Sequence, residues 1–125
     1  MTRAEKESLL EQLKLEREFI RRGGYQTSVR TPRLPPTHLR DSITCLNVDK
    51  REDEELEPCD RCFWMDFVPP EHRDKETPCR HIPLDPEGDT VESLDQRGDR
   101  EETERRLLEW LNSTIGRLEQ ELAQP

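Results

Sequence analysis

Four cysteines are the residues of this chain best suited to chemistry, and all of them lie in its middle third. Cys59 and Cys62 form a C-x-x-C within Glu-Pro-Cys-Asp-Arg-Cys, Cys45 precedes the pair by fourteen positions, and Cys79 follows Cys62 by seventeen. Two residues between thiolates let a tight turn aim both sulfurs at one ion about 2.3 Å away, and two further ligands can then come from distant segments. The pattern predicts one structural metal site with Cys45, Cys59, Cys62 and Cys79 as ligands and zinc as the ion. Cys79 is followed by Arg80 and His81, so His81 is a candidate to replace one sulfur or to donate a hydrogen bond to the ligand shell. Arg61, Arg80 and His81 would offset the charge of four thiolates around a divalent ion.

The ligand spacing is similar to that of a zinc ribbon or zinc knuckle. The likeness covers spacing alone, because the second C-x-x-C of a ribbon is absent. The same four residues would also suit an iron–sulfur cluster. As a third reading they are free, redox-active or disulfide-bonded cysteines, although no βαβ pattern surrounds the C-x-x-C as it would in a thioredoxin-type site. The histidines are His38, His72 and His81. None belongs to a motif pairing a base with a nucleophile, which argues against an enzyme.

The elements that must position these ligands are helical at both ends. A helix is predicted from about Arg3 to Arg22, with Thr2 and Glu5 in capping-box register, Leu9, Leu10, Leu13, Phe19 and Ile20 on one stripe, and Gly23-Gly24 as the stop. A second is predicted from Glu101 to about Leu122, with Asp99 as N-cap and a seam of Leu108, Leu111, Ile115, Leu118 and Leu122 widened by Leu107 and Trp110. Two helices of similar length, each with one apolar face, are expected to pack on each other. Pairing of the C-terminal helix with a second copy as a coiled coil is the alternative. Gly116 with Ser113 offers either a close helix crossing or an ordinary exposed glycine.

Between the helices the sequence predicts three short strands, Ile43 to Val48, Phe63 to Val68 and His81 to Leu84, each bringing at least one ligand. Phe63, Met65 and Phe67 alternate with Trp64, Asp66 and Val68, and Pro69-Pro70 ends the run. Residues 85–98 read as a solvated acidic linker. The expected fold is therefore a small α+β domain spanning 1–125: a helix at 3–22, an extended basic arm at 23–42, a metal-pinned middle at 43–84, the linker, and a helix at 99–123.

Composition explains why such a fold would need a metal. Of 125 residues, 30% are hydrophobic and 39% charged, so the apolar area available for burial is small for this length. The net charge of −9 opposes nucleic acid and anionic membrane as default partners. No apolar run approaches the length of a membrane span, and the N-terminus lacks the apolar stretch of a signal peptide. A cytoplasmic protein is expected, where cysteines serve as ligands or free thiols more often than as disulfides.

One region runs against the overall charge: Arg21 to Arg40 holds five arginines and no acid. It reads as a strap pairing with the acidic stretch Asp49 to Glu57, or as an arm gripping an acidic partner or a nucleic-acid backbone. The function expected from the whole is a zinc-stabilised scaffold that binds a protein partner. A redox or electron-transfer protein and a zinc-ribbon-like nucleic-acid module are the alternatives.

Overall fold

A computed structural model describes residues 2–23, 39, 44–47, 50 and 53–124. Helix α1 runs Arg3–Arg21, the short helix α2 Val91–Gln96, and α3 Arg100–Ala123. The Thr2 side chain accepts from the Glu5 amide at the start of α1, and Asp99 accepts from the Glu102 amide at the start of α3. Each cap satisfies one of the amides that a helix start leaves without an internal partner.

Helices α1 and α3 lie antiparallel along each other. Lys6 reaches Glu121 at 3.7 Å near one end, and Arg17 donates to Asn112 at 3.0 Å further along. The buried seam of α1 is Leu9, Leu13, Glu16 and Ile20, a 4-3-4 spacing that keeps one stripe against the partner. That of α3 is Thr103, Leu107, Leu111, Thr114, Ile115 and Leu118, while Leu108, Trp110 and Leu122 sit at its half-buried margin. Val91, Trp64, Val68, Ile82 and Leu39 complete the same core.

The middle of the chain overturns the expected α+β class. Among the described residues there is no strand, and the Cys-rich segments are 3-10 turns: Cys59–Arg61, Phe63–Phe67, Pro70–His72 and Pro78–His81. Phe63 to Val68 is helical in character because Trp64 and Val68, four apart, are the two residues it buries deepest, each 2% exposed. The apolar alternation at 63–68 fits a strand on paper, but a strand needs a neighbour to pair with and none of the short runs provides one. The i→i+3 bonds of a tight turn satisfy the backbone locally instead, as in Val68 N–H to Met65 C=O at 3.1 Å. Of the run from Ile43 to Val48, residues 44–47 are described and form a turn, and the stretch following His81 leads by Leu84 N–H to Asp89 C=O, 2.8 Å, into another.

The segment 85–98 is likewise more than a solvated linker. It carries α2, opened by a reciprocal capping box between Thr90 and Ser93, with Val91 and Leu94 buried. The turn before α2 is bound to α3 by Arg106, which pairs with Asp85, with Asp89 at 3.3 Å and with Glu102 at 3.4 Å. Gly116 resolves to an ordinary helical glycine, since a Cβ built there would meet nothing within 4 Å. The basic arm expected at 23–42, including Arg30, Arg33 and Arg40, lies outside the described residues except for Gly23 and Leu39.

Candidate metal centre

Each cysteine-bearing turn is fastened to a different helix by side chains. Cys45 follows Thr44, whose buried hydroxyl donates to Glu16 Oε1 of α1 at 2.7 Å and accepts from Trp64 Nε1 at 3.1 Å. The C-x-x-C closes on itself through Cys62 N–H to Cys59 C=O, 3.0 Å. It runs directly into the aromatic turn, where Trp64 and Phe67 meet Trp110 of α3 at ring-centroid distances of 6.1 and 5.1 Å. Cys79 sits in a turn begun by Pro78, and its neighbour Arg80, nearly buried, pairs with Glu92 at 2.7 Å and Asp95 at 2.9 Å on α2.

A further link joins two of these turns to each other. The Asn47 side chain accepts from the Glu57 amide at 2.8 Å and donates to the Glu57 carbonyl at 3.3 Å, which brings the chain after Cys45 beside the chain before Cys59. An amide side chain that occupies both backbone groups of one residue replaces a rung of a sheet ladder.

The outcome is that Cys45, Cys59, Cys62 and Cys79 all line one cavity of about 300 Å³, together with Leu39, Trp64, Met65 and Pro78. No disulfide joins any of them. Two sulfurs accept backbone N–H groups from the residue two positions on: Cys45 from Asn47 at 3.4 Å, and Cys62 from Trp64. Such bonds favour the charged sulfur that a metal requires.

The electrostatics of the thiols themselves run the other way. Burial pushes the Cys62 thiol up to about 11, and the nearby Cys45 and Cys59 add to this against the Trp64 amide. Burial and the other three cysteines raise Cys79 still further. Thiols raised in this way, as Cys62 and Cys79 are, are poor nucleophiles at neutral pH. A divalent cation among them reverses the sign of every one of those repulsions.

Geometry sets one condition on such an ion. Four sulfurs bound to a single zinc at about 2.3 Å stand about 3.8 Å apart. Among the described residues no three of the cysteine sulfurs lie mutually within 4.8 Å, so the turns must draw inward to close a single-ion tetrahedron. The donor set fits a thiophilic metal in kind, while the sulfurs stand wider than a single ion needs.

The group that does meet that distance is Asp85, Glu87 and Asp89. Its charge is already answered by Arg106 and by Arg97, which lies 2.8 Å from Asp89. His81, the proposed stand-in ligand, is not among the residues lining the cavity; its ring stacks on His72 with centroids 5.1 Å apart. Burial and the neighbouring His72 hold its pKa below the usual histidine value. Arg61, expected to offset thiolate charge, pairs with Glu57 at 3.4 Å.

Sequence reasoning missed Glu16, Thr44 and Asn47 as parts of this site. For Glu16 a signal existed: it stands in the 9-13-16-20 register of α1, where an acid in an otherwise apolar seam requires a buried partner. For Thr44 and Asn47 the only hint was proximity to Cys45.

Compared with known protein families, with curated proteins and with solved structures, this chain gives no match. Among the described residues no helix is long and apolar enough to cross a membrane.

Proposed function

We propose that this chain is a small metal-pinned helical scaffold, in which Cys45, Cys59, Cys62 and Cys79 hold one zinc ion and the assembled domain binds a protein partner in a reducing, cytoplasmic setting. The observation that carries the reading is that four cysteines from three separated stretches line one cavity, with two of the sulfurs accepting backbone amides. The metal would take over the role of a larger core: a site that does not exist in the unfolded chain converts binding free energy into folding free energy. Among the described residues no histidine lines the cavity to serve the cysteines as a base, and we read the site as one for binding. Because the apolar seam of α3 is buried against α1, self-association through that helix would have to use its charged outer face.

The test is elemental analysis of protein purified without oxygen, repeated on Cys59→Ser. About one zinc per chain, lost in the variant together with cooperative unfolding, is the expected result. A variant that melts like the parent sinks the reading.

One observation favours a second reading. The sulfurs stand wider than a single-ion tetrahedron needs, which suits a polynuclear iron–sulfur cluster. Visible absorption of the anaerobic protein separates the two, since a zinc site is colourless.

A further inference from the structure

Among the described residues, three large apolar side chains stand well exposed: Leu15 at 43%, Leu46 at 45% and Leu56 at 45%. Two of the three, Leu46 and Leu56, line the cysteine cavity. In a chain this poor in apolar residues, two exposed leucines lining one concavity point to a binding surface. The floor beneath them includes Trp64 and Met65, a rigid aromatic and a side chain that adapts its shape to what packs on it.

The rim carries a definite charge. From Asp53 to Asp60 the chain has five acids and no base, and every one of those residues is exposed. Glu57 and Glu76 both line the cavity. Of these acids Glu57 has Arg61 beside it, at 3.4 Å with both side chains well exposed, a pairing too weak to cancel the surrounding field.

We propose that this mouth is a docking site for a basic segment of a partner protein, which inserts one large apolar side chain between Leu46 and Leu56 and sets flanking lysines or arginines against the acids of 53–60 and Glu76. The inference rests on the metal reading in one respect, since an ion would reinforce the cysteine turns that Thr44, Asn47 and Arg80 already fasten. Charge selects the class of occupant. Nucleic acid and anionic lipid are repelled by the rim, and an uncharged apolar peptide would leave the acids without counter-charges.

The experiment is selection of a phage-displayed random peptide library on the full chain, with zinc content measured on the same sample. Enriched peptides are expected to share a large apolar residue flanked by Lys or Arg. A synthetic copy of one should bind Leu46→Asp/Leu56→Asp at least about tenfold more weakly, as expected for loss of an apolar anchor. Glu54→Gln/Glu55→Gln/Glu57→Gln should weaken binding and flatten its salt dependence. Both sets of substitutions fall on exposed residues, and matching melting curves will show that the variants fold. Absence of enrichment, enriched peptides without basic residues, or indifference to Leu46→Asp/Leu56→Asp overturns the docking site. So does self-association of the parent that the double variant abolishes, which would make a second copy the occupant, or peptide binding that tightens in Arg30→Gln/Arg33→Gln/Arg40→Gln, which would make the chain's own basic arm the occupant. A zinc-free chain that still selects such peptides removes the metal reading and leaves the docking site standing; a zinc-loaded chain that selects none does the reverse.

Discussion

The Thr44 hydroxyl and the Glu16 carboxylate, 28 residues apart in the chain, meet at 2.7 Å in a fully buried contact. Because Trp64 donates to the same hydroxyl, one oxygen connects α1, the turn of Cys45 and the turn that follows Cys62. A carboxylate can be kept out of water only where donors replace the lost solvent.

Thr44→Val keeps the shape of that side chain and removes its hydrogen bonds. The variant should lose about 1 to 3 kcal/mol of stability, with Thr44→Ser close to the parent. Chemical denaturation measures both. Equal loss in the two variants would show that packing, not hydrogen bonding, is what Thr44 contributes.

Gly116 lies inside α3 with nothing within 4 Å of the place where a Cβ would stand. Gly116→Ala should therefore stabilise the protein by about 1 kcal/mol through helix propensity alone. A lower melting temperature in this variant would mean that the position is in contact with something when the protein is in solution.

The Arg80 hydrogen bond holds the Glu92 carboxyl below its ordinary value of 4.5. A carboxyl depressed on folding contributes stability that is present above its unfolded pKa and disappears as pH falls through the folded one. Melting temperature should thus fall on acidification below about pH 4.5, and Glu92→Gln should make that limb shallower. Arg80→Met, which strands Glu92 and Asp95, should cost about 2 kcal/mol at neutral pH, less than a fully buried pair because Glu92 is partly in water. An unchanged acid limb in Glu92→Gln refutes the linkage.

Metal uptake should release protons. With Cys62 pushed up to about 11 and Cys79 also raised, both thiols are protonated at neutral pH before an ion arrives. Zinc affinity should consequently rise with pH, and titration in buffers of different ionisation enthalpy should give different apparent heats. Identical heats in all buffers would exclude thiolate ligation at those positions.

How much of this was legible in the sequence depends on the range over which each element is determined. The ends of α1 and α3 were readable because caps and apolar periodicity are local properties: Thr2 and Asp99 each stand where their side chains accept an amide. The middle was not. Alternation over Phe63 to Val68 suits a strand or a tight helical turn equally, and what decided was tertiary: Trp64 reaching Thr44 and packing near Trp110. Helix α2 was hidden because its six residues include only two apolar ones, Val91 and Leu94, in an acidic setting. Within the site, the grouping of the four cysteines was visible from their confinement to one region. The polar fastenings at Glu16, Thr44 and Asn47 were not, since each is defined by a partner far away in the chain.

The reciprocal grip of Asn47 on Glu57 has a consequence for how the chain tolerates damage. It staples the two sides of a ten-residue span at the foot of that span. A protease cutting anywhere between the two residues would sever the covalent path but leave both new ends moored, one through Thr44 to α1 and the other through Trp64 to α3. The nicked molecule should migrate as two fragments under denaturing conditions and as one particle otherwise, so the covalent continuity of that span is dispensable for keeping the halves together.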